Sequence, residues 1–213
     1  MADLAPHGIV AKKKTLYATE RNRPDVVESR QKFEKQSKKW DPARLICVDE
    51  SGVNLSMTRT QAWAPVGERA VDDVPGNRWS NYSVIAGLRL SGIVAPMIIP
   101  GAIDGQVMLQ WVEHCLVPEL RENDVVIWDN LSVHTDDRLR LLIQNRGAQL
   151  VFLPPYSPEF NPIEHAWSKA KSIVRKLAPR TWAKLSAALG RALRAVSATD
   201  ALGWFKHCGY TFA

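Results

Sequence analysis

Apolar residues fall in short blocks from Arg44 onward, and each block stops at a turn residue or a charge. "RLICVDE" is apolar and then ends in two acids, which predicts a buried strand with a carboxylate at its tip. "QAWAPVGERA" places the turn residues Pro65 and Gly67 between extended pieces. "NYSVIAGLRLSGIVAPMIIPG" predicts two strands folded into a hairpin at Ser91-Gly92. "DGQVMLQWVEHCLVPEL" has helical spacing, with Val107, Trp111, Cys115 and Leu116 along the expected buried stripe. "DVVIWDN" is a second buried strand ending in an acid. "HTDDRLRLLIQNRG" predicts a helix with Thr135 as cap and Gly147 as its stop. "AQLVFLPPYSP" is a third strand, broken by prolines, and a helix from Pro162 to about Leu177 follows, ended by Pro179. More helix is expected over 181–197. Upstream, residues 1–24 read as a polar, basic arm, and "DVVESRQKFEKQSKKW" has helical spacing with a thin apolar face of Val26, Phe33 and Trp40. Strand, hairpin strands, helix, strand, helix, strand, helix is the order of an α/β fold, a mixed sheet with helices on its faces. In such sheets binding sites gather where strands end.

Composition narrows the class. A hydrophobic fraction of 46% with 23% charged residues is that of an ordinary soluble protein. No apolar run reaches the length of a membrane span, and the start, "MADLAPHGIVAKKK", lacks the order of a signal peptide, so no membrane partner is expected. Cys47, Cys115 and Cys208 are far apart and read as reduced thiols of a cytoplasmic protein rather than a zinc site or disulfide.

The net charge of +6 is unevenly spread. Residues 1–44 carry 11 Lys/Arg against 6 Asp/Glu, 45–164 carry 8 arginines against 15 acids, and 165–213 carry 9 Lys/Arg against Asp200 alone. An acidic centre between basic flanks suits a cation-collecting site held against a polyanion; an uneven surface with no partner is the alternative.

The acids that draw attention are Asp49 and Asp129, each ending an apolar strand. A carboxylate there needs a cation, a hydrogen-bond network or exposure at the strand end. A third acid, Glu164, opens the helix of "PPYSPEFNPIEHAW". With Asn161 as N-cap and Pro162 at the first helical position, it sits where a capping-box glutamate reaches back to a free backbone N–H. The other reading makes it a metal-binding carboxylate aimed by its rigid proline-rich approach. Along the same helix Ile163, Trp167, Ala170, Val174 and Leu177 form an apolar stripe, and Glu164, Ser168, Lys171 and Arg175 form a separate one running acid, hydroxyl, base, base.

"ICVDES", "VIWDNLSVH" and "LPPYSPEFNPIEHAWSKAK" resemble the three catalytic blocks of mariner-type DDE transposases, in particular their bacterial insertion-sequence branch; 34 residues separate Asp129 from Glu164. The resemblance covers roughly Arg44 to Lys176. It implies a ribonuclease-H-like fold for residues 44–178, between a basic arm (1–43) and a basic C-terminal helical segment packed on the domain (179–213). It also implies that Asp49, Asp129 and Glu164 form a metal-binding catalytic triad for two magnesium or manganese ions, with Asp49 bridging them. Hard dications take oxygen ligands, and a pair of them activates the attacking water or 3′-hydroxyl and steadies the leaving oxygen, with no covalent enzyme nucleophile. The ligand and cap roles of Glu164 are compatible on one side chain.

The resemblance extends to DNA as partner, at transposon ends and target, with a homodimer in the DNA complex. "WAPVGE" (Trp63–Glu68) is similar to a family segment near the transposon end; Trp63 either stacks on a base or packs in the core. Asn130 either orients Asp129 or makes the turn, and His134 either supports the site, touches DNA or starts a helix. Ser168, Lys169, Lys171, Arg175 and Lys176 are expected DNA contacts, the four cations at phosphates, with a plain solvated face as the alternative; Glu50, pointing to the opposite face, is structural. The family's N-terminal helix-turn-helix region has no counterpart in residues 1–43. The expectation is therefore a separate helix-turn-helix polypeptide, or else a truncated, non-catalytic remnant that binds DNA or a full-length transposase. A repair nuclease with the same triad fits the proline-rich block less well. A bacterial, nucleoid-associated location follows from the resemblance.

Overall fold

A computed structural model describes residues 18–74, 76, 80–129 and 136–212. Its five strands are β1 (Leu45–Asn54), β2 (Asn81–Arg89), β3 (Gly92–Pro100), β4 (Val125–Trp128) and β5 (Gln149–Phe152). They lie in the order β3-β2-β1-β4-β5. The β3-β2-β1 half is antiparallel and the β1-β4-β5 half is parallel, so the sheet is mixed as expected. Among the described residues six α-helices accompany them: α1 (Pro24–Ser37), α2 (Gly105–Trp111), α3 (Asp137–Gln144), α4 (Ile163–Leu177), α5 (Trp182–Arg194) and α6 (Ala198–His207).

Strand alternation divides the core. Leu45 and Cys47 of β1, with Val125 and Ile127 of β4, face one side, where Phe33 of α1 and residues of α4, α5 and α6 complete a cluster. Ile46, Val48, Val126 and Trp128 face the other side, against α2 and α3. The sheet is therefore covered on both faces, which accounts for the continuous apolar runs of its central strands.

Arg89 pairs with Gly92 across Leu90-Ser91, closing the hairpin at the expected place. Gly92 takes φ 120°, a conformation only glycine adopts freely. Pro96 sits beside a one-residue register shift, with Ala95 at φ 51°, so the missing proline N–H breaks no ladder bond. The displaced Ala95 carbonyl accepts from Trp111 Nε1 at 2.8 Å.

Several local expectations are corrected. The stripe of α2 is Met108, Trp111, Val112 and Leu116, with Val107 and Cys115 only half-buried. The helix widens into one π turn at Val112–Leu116 and finishes in a 3₁₀ turn, where Pro118 cannot donate to the preceding turn. α3 is capped by Asp136, whose side chain accepts from the Arg138 N–H; Thr135 lies outside the described residues. Leu177 is 43% exposed, because the left-handed Ala178 ends α4 just as its stripe runs out. The helix expected over 181–197 is α5, capped by Thr181, and α6 follows with a capping box between Ser197 and Asp200. The cysteines are free. No helix among the described residues is long and apolar enough to cross a membrane.

Candidate active site

The same alternation that builds the core aims two of the acids. Asp49 lies two residues beyond Cys47 on β1, and Asp129 two beyond Ile127 at the end of β4. Cys47 and Ile127 are paired in register, so the acids leave neighbouring parallel strands at the same level, on the face covered by α4. Glu164, in the first turn of α4, meets them there. All three line one cavity of about 420 Å³, closed by Leu153, Pro154, Pro155, Tyr156, Ser157, Pro158 and Asn161. Two strand ends and a helix start, 115 residues apart at the extremes of sequence, thus supply one pocket.

The electrostatics are those of crowded anions. Burial, and then the charges of Glu164, Glu50 and Asp129, push the Asp49 carboxyl up to about 8. Burial raises Glu164 too, and Asp129 adds to the effect while Lys171 opposes it. Among the described residues no three His, Cys, Asp or Glu side chains already stand in ligand geometry. Carboxylates that repel one another at the edge of a pocket hold apart until a cation screens them. The donor set is all oxygen and suits a hard divalent ion.

Two neighbours hold the acids in place. Trp167, one turn after Glu164 and 3% exposed, donates its Nε1–H to Asp49 Oδ2 at 3.1 Å. Asn161 donates from Nδ2 to the Val48 carbonyl at 3.4 Å, tying the approach to α4 onto β1. Neither role was legible in sequence, where Trp167 is one more apolar-stripe residue and Asn161 a standard cap. The cap expectation is corrected here: no side chain caps α4. The Asn161 N–H is taken by the Pro158 carbonyl at 2.9 Å, so Glu164 has no free N–H to reach back to. The Glu164 N–H bonds the Asn161 carbonyl at 3.2 Å, a tightened first turn that leaves the carboxylate at the pocket.

The profile of the family described as DDE superfamily endonuclease matches residues 44–186. The chain belongs to that family. It is 29% identical over 178 residues to the Transposable element Tcb1 transposase of Caenorhabditis briggsae, a match that covers 76% of this chain and 65% of the relative. The chain thus spans just under two thirds of that relative's length. Among solved structures it is similar to the Mos1 transposase paired-end complex with left transposon end (TM-score 0.77, 14% identity, 97% of this chain and 65% of that one). It is also similar to the catalytic domain of Mos1 mariner transposase (TM-score 0.59, 12% identity, 96% of this chain and 100% of that one). The DDE chain described here therefore has the ribonuclease-H-like fold, and its homologues are mariner- and Tc1-type transposases.

The remaining expected residues scatter. Trp63 is fully exposed, in an extended segment with Val66 and Val71 also in solvent, so it is no part of the core. Arg180 anchors the base of that segment through the Leu55 and Met57 carbonyls, at 2.9 and 3.0 Å. Arg175 and Lys176 share a notch of about 270 Å³ with Ser172 and with Arg59, Thr60 and Gln61. Arg59, Thr60 and Gln61 were not anticipated, since nothing in sequence brings them to α4. Lys171 is half-buried and acts on Glu164; Ser168 is exposed on the next turn back. Lys169 uses its charge within the fold, 2.5 Å from the Asp200 carboxylate that caps α6. Asn130 and His134 lie outside the described residues.

Proposed function

We propose that this chain is the catalytic portion of a DNA transposase, which cleaves phosphodiester bonds at transposon ends and joins the freed 3′-hydroxyl to target DNA. The observation that carries the reading is the convergence of Asp49, Asp129 and Glu164 on one pocket, where burial and then the neighbouring carboxylates push Asp49 up to about 8. A fold that gathers mutually repelling carboxylates, two of them half-buried at strand ends, is short of positive charge there, and divalent cations supply it.

In this reading Asp49, Asp129 and Glu164 hold two magnesium or manganese ions. When bound, such ions activate the attacking oxygen and stabilise the leaving one. The protein's own part is orientation and exclusion. The Trp167 N–H fixes one oxygen of Asp49. The wall of 153–158, with three prolines, restricts water around the reacting phosphate. Lys171 and the notch of Arg59, Arg175 and Lys176 take neighbouring backbone phosphates, beyond the acidic pocket, so that DNA bridges the two. Metal use is supported by a relative in kind, a Mos1 mariner paired end complex with Mn (TM-score 0.75, 15% identity, 97% of this chain and 65% of that one).

The proline-rich block and its "NPIEHAW" support placing the chain in the bacterial insertion-sequence branch, acting at the nucleoid. Recognition of transposon ends is assigned to a separate helix-turn-helix polypeptide, and the DNA complex to a homodimer.

The test is magnesium-dependent nicking of supercoiled DNA. Glu164→Gln keeps the side-chain length and, since Glu164 caps nothing, should melt within about 1 kcal/mol of wild type while losing cleavage. A glutamine variant that nicks at the wild-type rate would remove Glu164 from the site, and the transposase reading with it.

A further inference from the structure

The wall of the acidic pocket is an irregular loop, tied at its ends by the Leu153 N–H to Trp128 and by Asn161 to Val48. Residues 153–161 contain three prolines and one 3₁₀ turn, Pro158–Phe160, and Tyr156 sits at φ 54°. A left-handed non-glycine residue is strained and persists only where its surroundings over-determine it. Much of that determination comes from α1, which precedes the family-matched segment 44–186.

Arg30 of α1 reaches across with both arms of its guanidinium. Nη1 donates to Ser157 Oγ at 2.5 Å, and Nη2 to Glu159 Oε1 at 2.5 Å. Arg21, ahead of α1, donates to the same Glu159 oxygen at 2.6 Å. The contacts are enclosed: the Arg30 side chain is 12% exposed and Ser157 4%. The Ser157 hydroxyl donates in turn to the Pro155 carbonyl at 2.9 Å, so the cation, the hydroxyl and the loop backbone form one chain of hydrogen bonds. The guanidinium also lies 4.8 Å over the Phe160 ring, which stacks on Phe33 of α1 at 5.3 Å. Glu159 Oε2 is buried with no hydrogen-bond partner among the described residues. Its other oxygen is held by both arginines, which fix the carboxylate in place.

We infer that Arg30, assisted by Arg21, is a positioning residue for the reaction: it locks the 153–161 loop through Ser157 and Glu159, and thereby sets where Glu164, three residues after Asn161, points into the pocket. The basic segment ahead of the sheet is on this view a working part of the site rather than a tether. The bidentate fork matters, because a point charge cannot hold the hydroxyl and the carboxylate together. Only the activity consequence rests on the transposase reading; the lock itself does not.

The experiment compares wild type, Arg30→Ala, Arg30→Lys, Glu159→Ala and the Arg30→Ala/Glu159→Ala double variant as full chains. Hydrogen–deuterium exchange is followed by peptide, and Mn²⁺ affinity by calorimetric titration. Arg30→Ala should speed exchange within 153–165 by about tenfold, the size of one lost charge-assisted bond, while β1 and β4 stay at wild-type protection. Mn²⁺ should bind several-fold more weakly, and the double variant should be no worse than Arg30→Ala, since both cut the same link. Arg30→Lys should fall between, and it carries the test if the alanine variant does not fold. Unchanged exchange at 153–165, or a loss spread evenly over the whole fold, would overturn the lock and leave Arg30 a stability residue. A wild type that neither binds Mn²⁺ nor nicks DNA sinks the functional reading instead, and the exchange data still decide whether Arg30 holds the loop.

Discussion

Asp49→Asn in the absence of divalent ions should make the protein more stable at alkaline pH, although it removes a residue from the proposed active site. In the folded chain burial and three neighbouring carboxylates raise the Asp49 carboxyl from 3.8 to about 8. Between those values the folded state holds a proton that the unfolded state has released, so stability falls as pH rises through that window. From pH 5 to pH 8 the loss has an upper bound of about 4 kcal/mol, at about 1.4 kcal/mol for each pH unit. Glu164 shares the proton uptake and relaxation of the pocket softens the repulsion, so about 2 kcal/mol is the expected loss. Asparagine keeps an oxygen able to accept from Trp167 Nε1, so the substitution isolates charge from packing. Urea denaturation in EDTA at pH 5 and pH 8 measures it: wild type should lose about 2 kcal/mol more than the asparagine variant over that interval. Millimolar magnesium at pH 8 should restore wild type and leave the variant unmoved, since only a ligand that binds the folded state stabilises it. Parallel pH series for the two proteins would refute the charge-crowding account of the pocket.

Trp167→Phe keeps the buried ring and deletes the donor to Asp49 Oδ2. At about 1.5–3 kcal/mol for a bond to a charged group, nicking in saturating magnesium should drop roughly 10- to 100-fold with DNA affinity unchanged, and an unaltered rate would return Trp167 to a packing role. Replacing Lys171 and Arg175 together by alanine should weaken DNA binding and flatten its log–log salt dependence by about two, at about 0.9 per phosphate contact. Fluorescence titrations at several salt concentrations measure that slope, and an unchanged one leaves both as solvated surface.

The strands of this protein and their carboxylate ends are written locally. Four apolar residues followed by an acid, as in "LICVDE", can do little but cross a core and stop at its edge, and "VVIWDN" repeats the pattern. The apolar stripe of α4 and the hairpin at Gly92 were legible for the same reason: period 3.6 and a left-handed glycine are properties of a few consecutive residues. The resemblance of three ordered blocks then pointed to one site. What sequence left open at Glu164 was whether it caps or faces a pocket. Tertiary structure decided it, because the Asn161 amide is taken by Pro158 and the Asn161 side chain by Val48, a strand 113 residues away. Trp167 behaved likewise: its stripe position predicts burial, but only the docking of α4 on β1 brings its N–H to Asp49. Arg30, Arg59 and Lys169 are surface cations to any local pattern. Their partners Glu159, the notch on α4 and Asp200 lie 129, over a hundred and 31 residues away, and only chain crossing at the sheet's end makes them neighbours. Short-range periodicity sets which face of an element is apolar. Which charges meet depends on long-range packing, and the pocket's chemistry resides in those meetings.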